Sequence, residues 1–213
     1  MDRKKNKFTD KIDRRLLRRV FMAFLGVVVC SFSVGFYRLS NFGTDPYQCF
    51  CGGLSNYIPI GFGNVMMLMN CLLLVEVFFL RRKYIGIATL MTVFMTGYIV
   101  DFSEWLLKML PWEMTMPIRI VYLIIGVVVM CFASAFYITS ALGVSAYDAQ
   151  ALMISENPKL PFRIVRICTD AVCVFIGWRL GAPVGIGTLI AALFMGPLID
   201  LFNRKVAIPF LNR

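Results

Sequence analysis

Residues 26–37 read GVVVCSFSVGFY, and one hundred positions later residues 126–137 read GVVVMCFASAFY. Seven of these twelve positions are identical. With a shift of one residue, further matched pairs follow: Gly86 and Gly185, Thr89 and Thr188, Gly97 and Gly196, and Asp101 and Asp200. An apolar composition produces chance matches among Val, Leu and Ile, but it does not align Gly, Thr, Tyr and Asp. The sequence therefore predicts two copies of one unit, an organisation that often builds a site between the copies in membrane proteins.

The composition predicts a membrane protein. Hydrophobic residues make up 59% of 213, the mean hydropathy is +0.76, and only 16% of residues are charged. Crossing a hydrocarbon core takes about 20 apolar helical residues. Continuous apolar runs rather than alternating ones favour helices over a β-barrel. We therefore expect an all-α polytopic membrane protein with about six transmembrane helices, near residues 18–38, 62–80, 84–106, 117–138, 162–180 and 184–202.

The distribution of positive charge predicts the orientation. The net charge is +10, and nine of the 22 basic residues precede Val20. Other basic clusters lie at 81–83 and at 204–213. With a cytoplasmic N-terminus and six crossings, all three clusters lie on the inner side, as the positive-inside rule requires. We therefore expect cytoplasmic N- and C-termini and contact between the basic arm and anionic lipid headgroups, and we expect no nucleic-acid binding.

Two short helices are predicted at matched positions. In the first copy, Asp45 suits an N-cap, Pro46 the first helical position, and Gln48 the reciprocal partner of a capping box. In the second copy, Ser145 is the cap and Asp148 the partner. The helices end before Pro59 and before the prolines at 158 and 161, because proline interrupts a helix. Some eleven residues give roughly 16 Å, half a bilayer, so these helices either lie at the interface or dip in and return.

The number of crossings decides the symmetry of the repeat. Three full helices per copy reverse the second copy and give an inverted repeat, whereas four per copy give parallel repeats. Four crossings per copy would put the basic cluster at residues 81–83 outside, against the positive-inside rule. We therefore prefer two inverted three-helix repeats, each with a short half-helix. The expected organisation is an arm at 1–17, a first repeat at 18–106, an outer linker at 107–116, a second repeat at 117–202 and a cytoplasmic tail at 203–213.

Helix N-termini and intramembrane carboxylates are the candidate binding groups. The N-termini at Asp45 and Ser145 carry partial positive charge and free N–H groups, which suit an anionic or small polar solute, although ordinary capping of two interfacial helices is the preferred interpretation. A carboxylate in hydrocarbon costs about 2.5–3.5 kcal/mol on insertion scales, which favours a role. A position near the interface or an i,i+4 ion pair reduces that cost. The candidate substrate contacts are Asp45, Tyr47, Asp101, Ser145, Tyr147, Asp148 and Asp200.

A further polar pair lies deep in the predicted second and fifth helices. Asn70 aligns with Asp170, and Arg166 precedes Asp170 by four residues, which places the two on the same helix face. Such a pair can couple or relay protons, but the preferred interpretation is that it makes an arginine tolerable near the inner surface.

The sequence lacks the residues that several classes of enzyme chemistry require. The chain has no histidine, and its seven cysteines are scattered. This composition excludes Ser-His-Asp hydrolysis and His-ligated metals, and it offers no phosphate loop or paired catalytic carboxylates. We therefore expect no catalytic residues, metal or cofactor, and no enzyme activity.

Two motifs resemble a known family. LGVSAYD at 142–148 resembles the LGxxPxD signature of the YczE/YyaS/YitT-like group of bacterial integral membrane proteins, and the segment from Gly185 to Leu201 is similar to that group's GxGT … G … ID ending. Ala146 replaces the usual proline, and Gln48 stands where the family often has Asp. The resemblance implies a bacterial plasma-membrane protein and no particular activity.

Two functions from different classes fit these observations. The first is a small transporter or permease with a substrate site between the repeats, and its small size makes a homodimer an attractive assembly. The second is a non-transporting membrane factor that stabilises or regulates a membrane-associated enzyme or complex through its helix faces. A lipid-linked-substrate enzyme or flippase lacks the catalytic groups.

Overall fold

The computed structural model describes residues 2–111, 115–156 and 162–212, and within these ranges it is helical with no strand. Two short turns of other helix types flank the α-helices, a 3₁₀ turn at Arg82–Tyr84 and a π-helical segment at Asn203–Ala207. The α-helices are α1 (Asp2–Ser40), α2 (Pro46–Ser55), α3 (Phe62–Leu80), α4 (Ile87–Lys108), α5 (Met116–Ser140), α6 (Ala146–Ile154), α7 (Phe162–Arg179), α8 (Ile186–Phe202) and α9 (Ile208–Asn212).

Four helices in the described ranges are long and apolar enough to span a bilayer: Arg15–Ser40 of α1, and α3, α4 and α5. Each of these helices satisfies its backbone amides internally, as a segment in hydrocarbon must. The described residues thus form an all-helical fold with four candidate membrane-spanning helices.

An antiparallel pair, α1 and α5, forms the centre of the bundle. Gly26 lies so close to Tyr137 that a Cβ added there would stand 2.7 Å from the tyrosine backbone nitrogen. Gly126 packs in the same way against Tyr37, which is fully buried. Small residues permit this close approach of two backbones, which supplies the dispersion energy that holds helices together in lipid. Helix α4 packs on α1, and α8 packs on α5.

The short helices begin where the sequence predicts. Asp45 Oδ1 accepts a hydrogen bond from Tyr47 N at 3.1 Å, and Ser145 Oγ accepts one from Asp148 N at 3.0 Å. Helix α2 ends at Ser55 and α6 ends at Ile154, so neither is long enough to cross a bilayer. The prolines at 158 and 161 lie outside the described residues. The predicted reciprocal bond from Gln48 is wrong, because its Oε1 has no hydrogen-bond partner in the described ranges, which include Asp45.

The loops that precede the short helices are held by the opposite half of the chain. Phe42 O accepts a hydrogen bond from Gly187 N at 2.8 Å, at the first turn of α8. Leu142 O accepts one from Ala88 N at 3.1 Å, at the first turn of α4. Both donors belong to the free N–H groups that every helix N-terminus leaves unpaired. The short helices then pack across, α2 on α7 and α6 on α3.

The end of α6 is tied to the turn between α3 and α4 by one carboxylate. Glu156 pairs with Arg81 at 2.9 Å and with Lys83 at 2.7 Å, and it accepts a hydrogen bond from Tyr84 Oη at 2.7 Å. These donors lower the pKa of Glu156 to about 2. The carboxylate therefore stays ionised throughout the physiological pH range.

The predicted cytoplasmic tail is helical and packed against the bundle. Ala207 is buried in a cluster with Met22 of α1 and Phe136 of α5. Phe210 of α9 contacts the Phe136 ring, with 5.6 Å between the ring centroids. At the other terminus α1 runs without a break from Asp2, so the expected boundary between the arm and the first repeat lies inside one helix.

We expect Gly43→Ala and Gly143→Ala each to destabilise the protein by about 1–3 kcal/mol. Both glycines have positive φ, 99° and 117°. A Cβ at Gly43 would stand 2.4 Å from Thr188 Oγ1, and one at Gly143 would stand 2.6 Å from Thr89 Oγ1.

Thermal unfolding of the detergent-purified variants measures the effect. Gly52→Ala is the matched control, because an added Cβ there meets no atom closer than 3.9 Å. Equal melting temperatures for all three variants would mean that the crossed loops do not hold the fold.

Candidate functional site

The two short helices meet at a pair of tyrosines. The rings of Tyr47 and Tyr147 stack with centroids 4.8 Å apart and planes 20° apart. Each is the second residue of its helix, and each is 8% exposed. The stack thus joins α2 and α6 at their N-terminal ends, inside the bundle.

Each tyrosine hydroxyl reaches the middle of a long helix. Tyr47 Oη donates a hydrogen bond to Asn70 Oδ1 of α3 at 2.8 Å, and Tyr147 Oη donates one to Asp170 Oδ1 of α7 at 2.7 Å. The acceptor lies 23 residues beyond the tyrosine in both cases. A buried phenol needs a partner, and these bonds provide one that also fixes the ring orientation.

One guanidinium organises the charges beside the stack. Arg166 pairs with Asp148, and its Nε lies 3.3 Å from Asp170 Oδ1, so it bridges α6 and α7. Its guanidinium carbon lies 4.5 Å from the centroid of the Tyr147 ring, a cation–π contact. The predicted i,i+4 pair between Arg166 and Asp170 is confirmed. Its role is larger than predicted, because the same arginine holds the first turn of α6.

The corresponding positions of the first half are neutral. One hundred residues before Asp148, Arg166 and Asp170 stand Gln48, Met66 and Asn70. The tyrosine-to-α3 bond is kept in this half, but these three residues cannot form the ion pairs of the arginine bridge. The site is therefore symmetric in its tyrosines and asymmetric in its charge.

Asp45 adds a third carboxylate near this site. It lies in the loop before α2, and burial raises its pKa to about 6, while Arg166 acts in the opposite direction. Arg166 forms ion pairs with two of these three carboxylates, Asp148 and Asp170. No group of three or more metal-ligating side chains occurs in the part of the chain that the structure describes. We call the following set the central polar cluster: Asp45, Tyr47, Asn70, Tyr147, Asp148, Arg166 and Asp170.

Four of the seven predicted contacts belong to this cluster, namely Asp45, Tyr47, Tyr147 and Asp148. A fifth, Ser145, caps the helix that carries Tyr147 and Asp148.

The other two predicted contacts lie elsewhere. Asp101 Oδ1 accepts a hydrogen bond from Gly63 N at 3.0 Å and so caps the first turn of α3. Asp200 is exposed and pairs with Arg204 at 2.9 Å, the i,i+4 pair that the sequence predicts.

Sequence reasoning did not select three members of the cluster, Asn70, Arg166 and Asp170. The available signals were the alignment of Asn70 with Asp170 and the four-residue spacing that puts Arg166 and Asp170 on one helix face. What no spacing reveals is that Asp148 and Tyr147, on another helix, complete the group.

Comparison with known proteins assigns the chain to a family. The profile of DUF6198, a family of unknown function, matches residues 17–204. The chain belongs to this family. The match covers most of the four candidate spans and every member of the central polar cluster.

Named relatives agree with the resemblance seen in the motifs. The chain is 24% identical to the uncharacterized membrane protein YczE of Bacillus subtilis (strain 168), over 93% of this chain and 91% of YczE. It is 25% identical to the uncharacterized protein YyaS of the same strain, over 89% and 94% of the two chains. An uncharacterized protein of Haemophilus influenzae is 23% identical over 81% and 78%. No solved structure matches the chain significantly.

We expect Arg166→Met, which copies Met66 of the first half, to lower the free energy of unfolding by about 2 kcal/mol. The change leaves Asp148 and Asp170 without their shared cation. Fully buried pairs cost more to break, but the side chains of this bridge are only partly buried. Solvent therefore weakens the effect.

The triple variant Arg166→Met, Asp148→Gln and Asp170→Asn reproduces the neutral set of the first half, so it should recover most of the lost stability. Thermal unfolding in nanodiscs compares the three proteins. A triple variant no more stable than Arg166→Met alone would contradict the ionic bridge as the cause.

Proposed function

We propose that this protein is a small transporter of the bacterial plasma membrane, with its substrate site at the central polar cluster. In this proposal six helices span the membrane in two inverted repeats, α1, α3 and α4 in the first and α5, α7 and α8 in the second. Both termini are cytoplasmic. Helices α2 and α6 are half-helices that enter from opposite sides and meet at the tyrosine stack.

The matched contacts support the repeat. Crossed hydrogen bonds hold the loop before each short helix, and each tyrosine binds an acceptor 23 residues further on. Helices α7 (Phe162–Arg179) and α8 (Ile186–Phe202) are long enough to approach the thickness of a hydrocarbon core, which is about 30 Å. Three spans in each repeat reverse the second relative to the first.

The observation that carries the proposal is the buried polar stack between the halves. Charged groups inside a membrane segment are costly, so they are rare unless they serve a pathway or a site. Here Asp148, Arg166 and Asp170 surround aromatic rings supplied by both halves. Such convergence at the interface of two repeats, next to the ends of short helices, is typical of secondary transporters.

The chemistry of the cluster defines the substrate contacts in this proposal. Tyr47 and Tyr147 offer ring faces and hydroxyls, Asp45 offers a carboxylate whose pKa is raised to about 6, and Asp148 offers one that is already paired. Ser145 positions the first turn of α6. The substrate is a small polar solute that these groups can hydrogen-bond. The two remaining candidates, at positions 101 and 200, act at helix ends outside this site.

A thermal-shift screen in nanodiscs tests this function. The panel comprises anions, amino acids, nucleobases and metal ions, each at several pH values. A solute present at a hundred times its Kd should add about 2.7 kcal/mol of stability. For a solute that binds at the cluster, Asp170→Asn should abolish the shift, because it removes the negative charge that pairs with Arg166.

Asp200→Asn is the control and should keep the shift, since Asp200 is exposed and pairs with Arg204 at the end of α8. A solute that stabilises the wild type and both variants equally would locate binding elsewhere. A folded protein that responds to nothing in the panel would contradict the transporter and favour the accessory factor, a non-transporting regulator of another membrane protein.

A further inference from the structure

A second polar site lies at the end of the bundle where α1 ends and α3 begins. A cavity of about 210 Å³ opens between the end of α1, the face of α2, the end of α4 and the loop that precedes α8. Its charged and polar lining includes Arg38, Thr44, Gln48 and Glu104. The central polar cluster contributes none of the lining residues, so the cavity is a separate feature.

The guanidinium of Arg38 lines this cavity with terminal N–H groups that bind no described residue. Its Nε donates to Glu104 Oε2 at 2.9 Å, and its guanidinium carbon lies 3.8 Å from the centroid of the Phe62 ring. The ring covers one face, and one of the five N–H donors of the guanidinium is committed to Glu104. The terminal nitrogens retain the planar fork that binds a carboxylate with two parallel hydrogen bonds.

Gln48 provides a buried acceptor without a donor. It is 4% exposed, it lines the cavity, and its Oε1 has no hydrogen-bond partner among the residues that the structure describes. An unpaired buried oxygen is costly, so a rotation of the side-chain amide that brings Oε1 to a ligand N–H in the cavity gains more than an ordinary surface hydrogen bond. In the second half the matching residue, Asp148, already has its donor in Arg166. The first half has Met66 in place of that arginine, so the donor must come from elsewhere.

The charges of the lining restrict the ligand. A solute with only a carboxylate would face Glu104, and a solute with only an amine would face Arg38. Within the lining, Arg38 and Glu104 are one cation and one anion in contact, and Lys108, outside the lining, pairs with the same carboxylate at 2.8 Å. A ligand that carries both charges complements both.

We propose that this cavity binds a small zwitterion of the amino-acid type, with its carboxylate on the terminal N–H groups of Arg38 and its ammonium on Gln48 Oε1. This binding does not depend on transport. The protein can hold such a solute at the entrance of a transport path, or it can bind the solute as a sensor without transporting it.

Three probes with closely matched carbon skeletons test the charge requirement. L-norvaline carries both groups, pentanoate lacks the amine, and butylamine lacks the carboxylate. Isothermal titration of the wild type in nanodiscs should give saturable binding of L-norvaline and at least tenfold weaker binding of the other two. Equal affinities for the three probes, or no binding of L-norvaline to folded protein, would overturn the proposal.

Two variants locate the binding. Gln48→Leu removes the unpaired oxygen and should weaken L-norvaline binding at least tenfold without lowering the melting temperature. Gly52→Leu keeps every polar group but fills the cavity, since a Cβ there meets Arg38 Nη1 and Phe62 only at 3.9 Å. It should abolish binding. Gln150→Leu, at the other glutamine of the chain, should bind as the wild type does.

The variant results are decisive whatever the thermal-shift screen shows. Wild-type affinity in both Gln48→Leu and Gly52→Leu would move the site out of this cavity and contradict the proposal. Loss of binding in these two, with Asp170→Asn unaffected, would support the cavity even where the screen at the central polar cluster gives no ligand.

Discussion

The structure depends on the crossed hydrogen bonds between the two halves. In each half a long helix ends, and the carbonyl of the following loop binds an amide at the first turn of a helix in the other half, Phe42 to Gly187 and Leu142 to Ala88. Each bond gives a partner to an N–H group in the first turn of a helix, which has no acceptor within its own helix. The loops are thereby fixed, and their caps start the short helices at one place and in one direction. The tyrosine stack follows from that placement.

Local features could be predicted from the sequence because they arise from neighbours in the chain. Apolar runs predicted the bounds of the long helices to within a few residues, except the start of α1, which begins at Asp2. The residue types at Asp45 and Ser145 predicted both caps. The pairs Arg166–Asp170 and Asp200–Arg204 follow from helical periodicity. The π-helical segment and the packing of α9 on α1 and α5 have no such local pattern, so a short cytoplasmic tail was the natural expectation.

Contacts between distant segments could not be predicted in the same way. The repeat indicates that Tyr47 and Tyr147 are equivalent, but equivalence does not require that they touch. Gln48 illustrates the difference. Its spacing from Asp45 predicts a capping box, yet its side chain lines a cavity, where tertiary packing outweighs a local hydrogen bond worth about 1 kcal/mol.

The central claim is that the two short helices meet inside the bundle at residues 47 and 147. The direct test replaces the seven native cysteines, introduces Tyr47→Cys with Tyr147→Cys, and treats membranes with a short bifunctional thiol reagent. The account predicts a rapid intramolecular cross-link. It predicts none for Tyr57→Cys with Tyr147→Cys, whose first site lies about 15 Å further along the chain from Tyr47. Absence of the 47–147 product, while each single cysteine reacts with the reagent, would contradict the account.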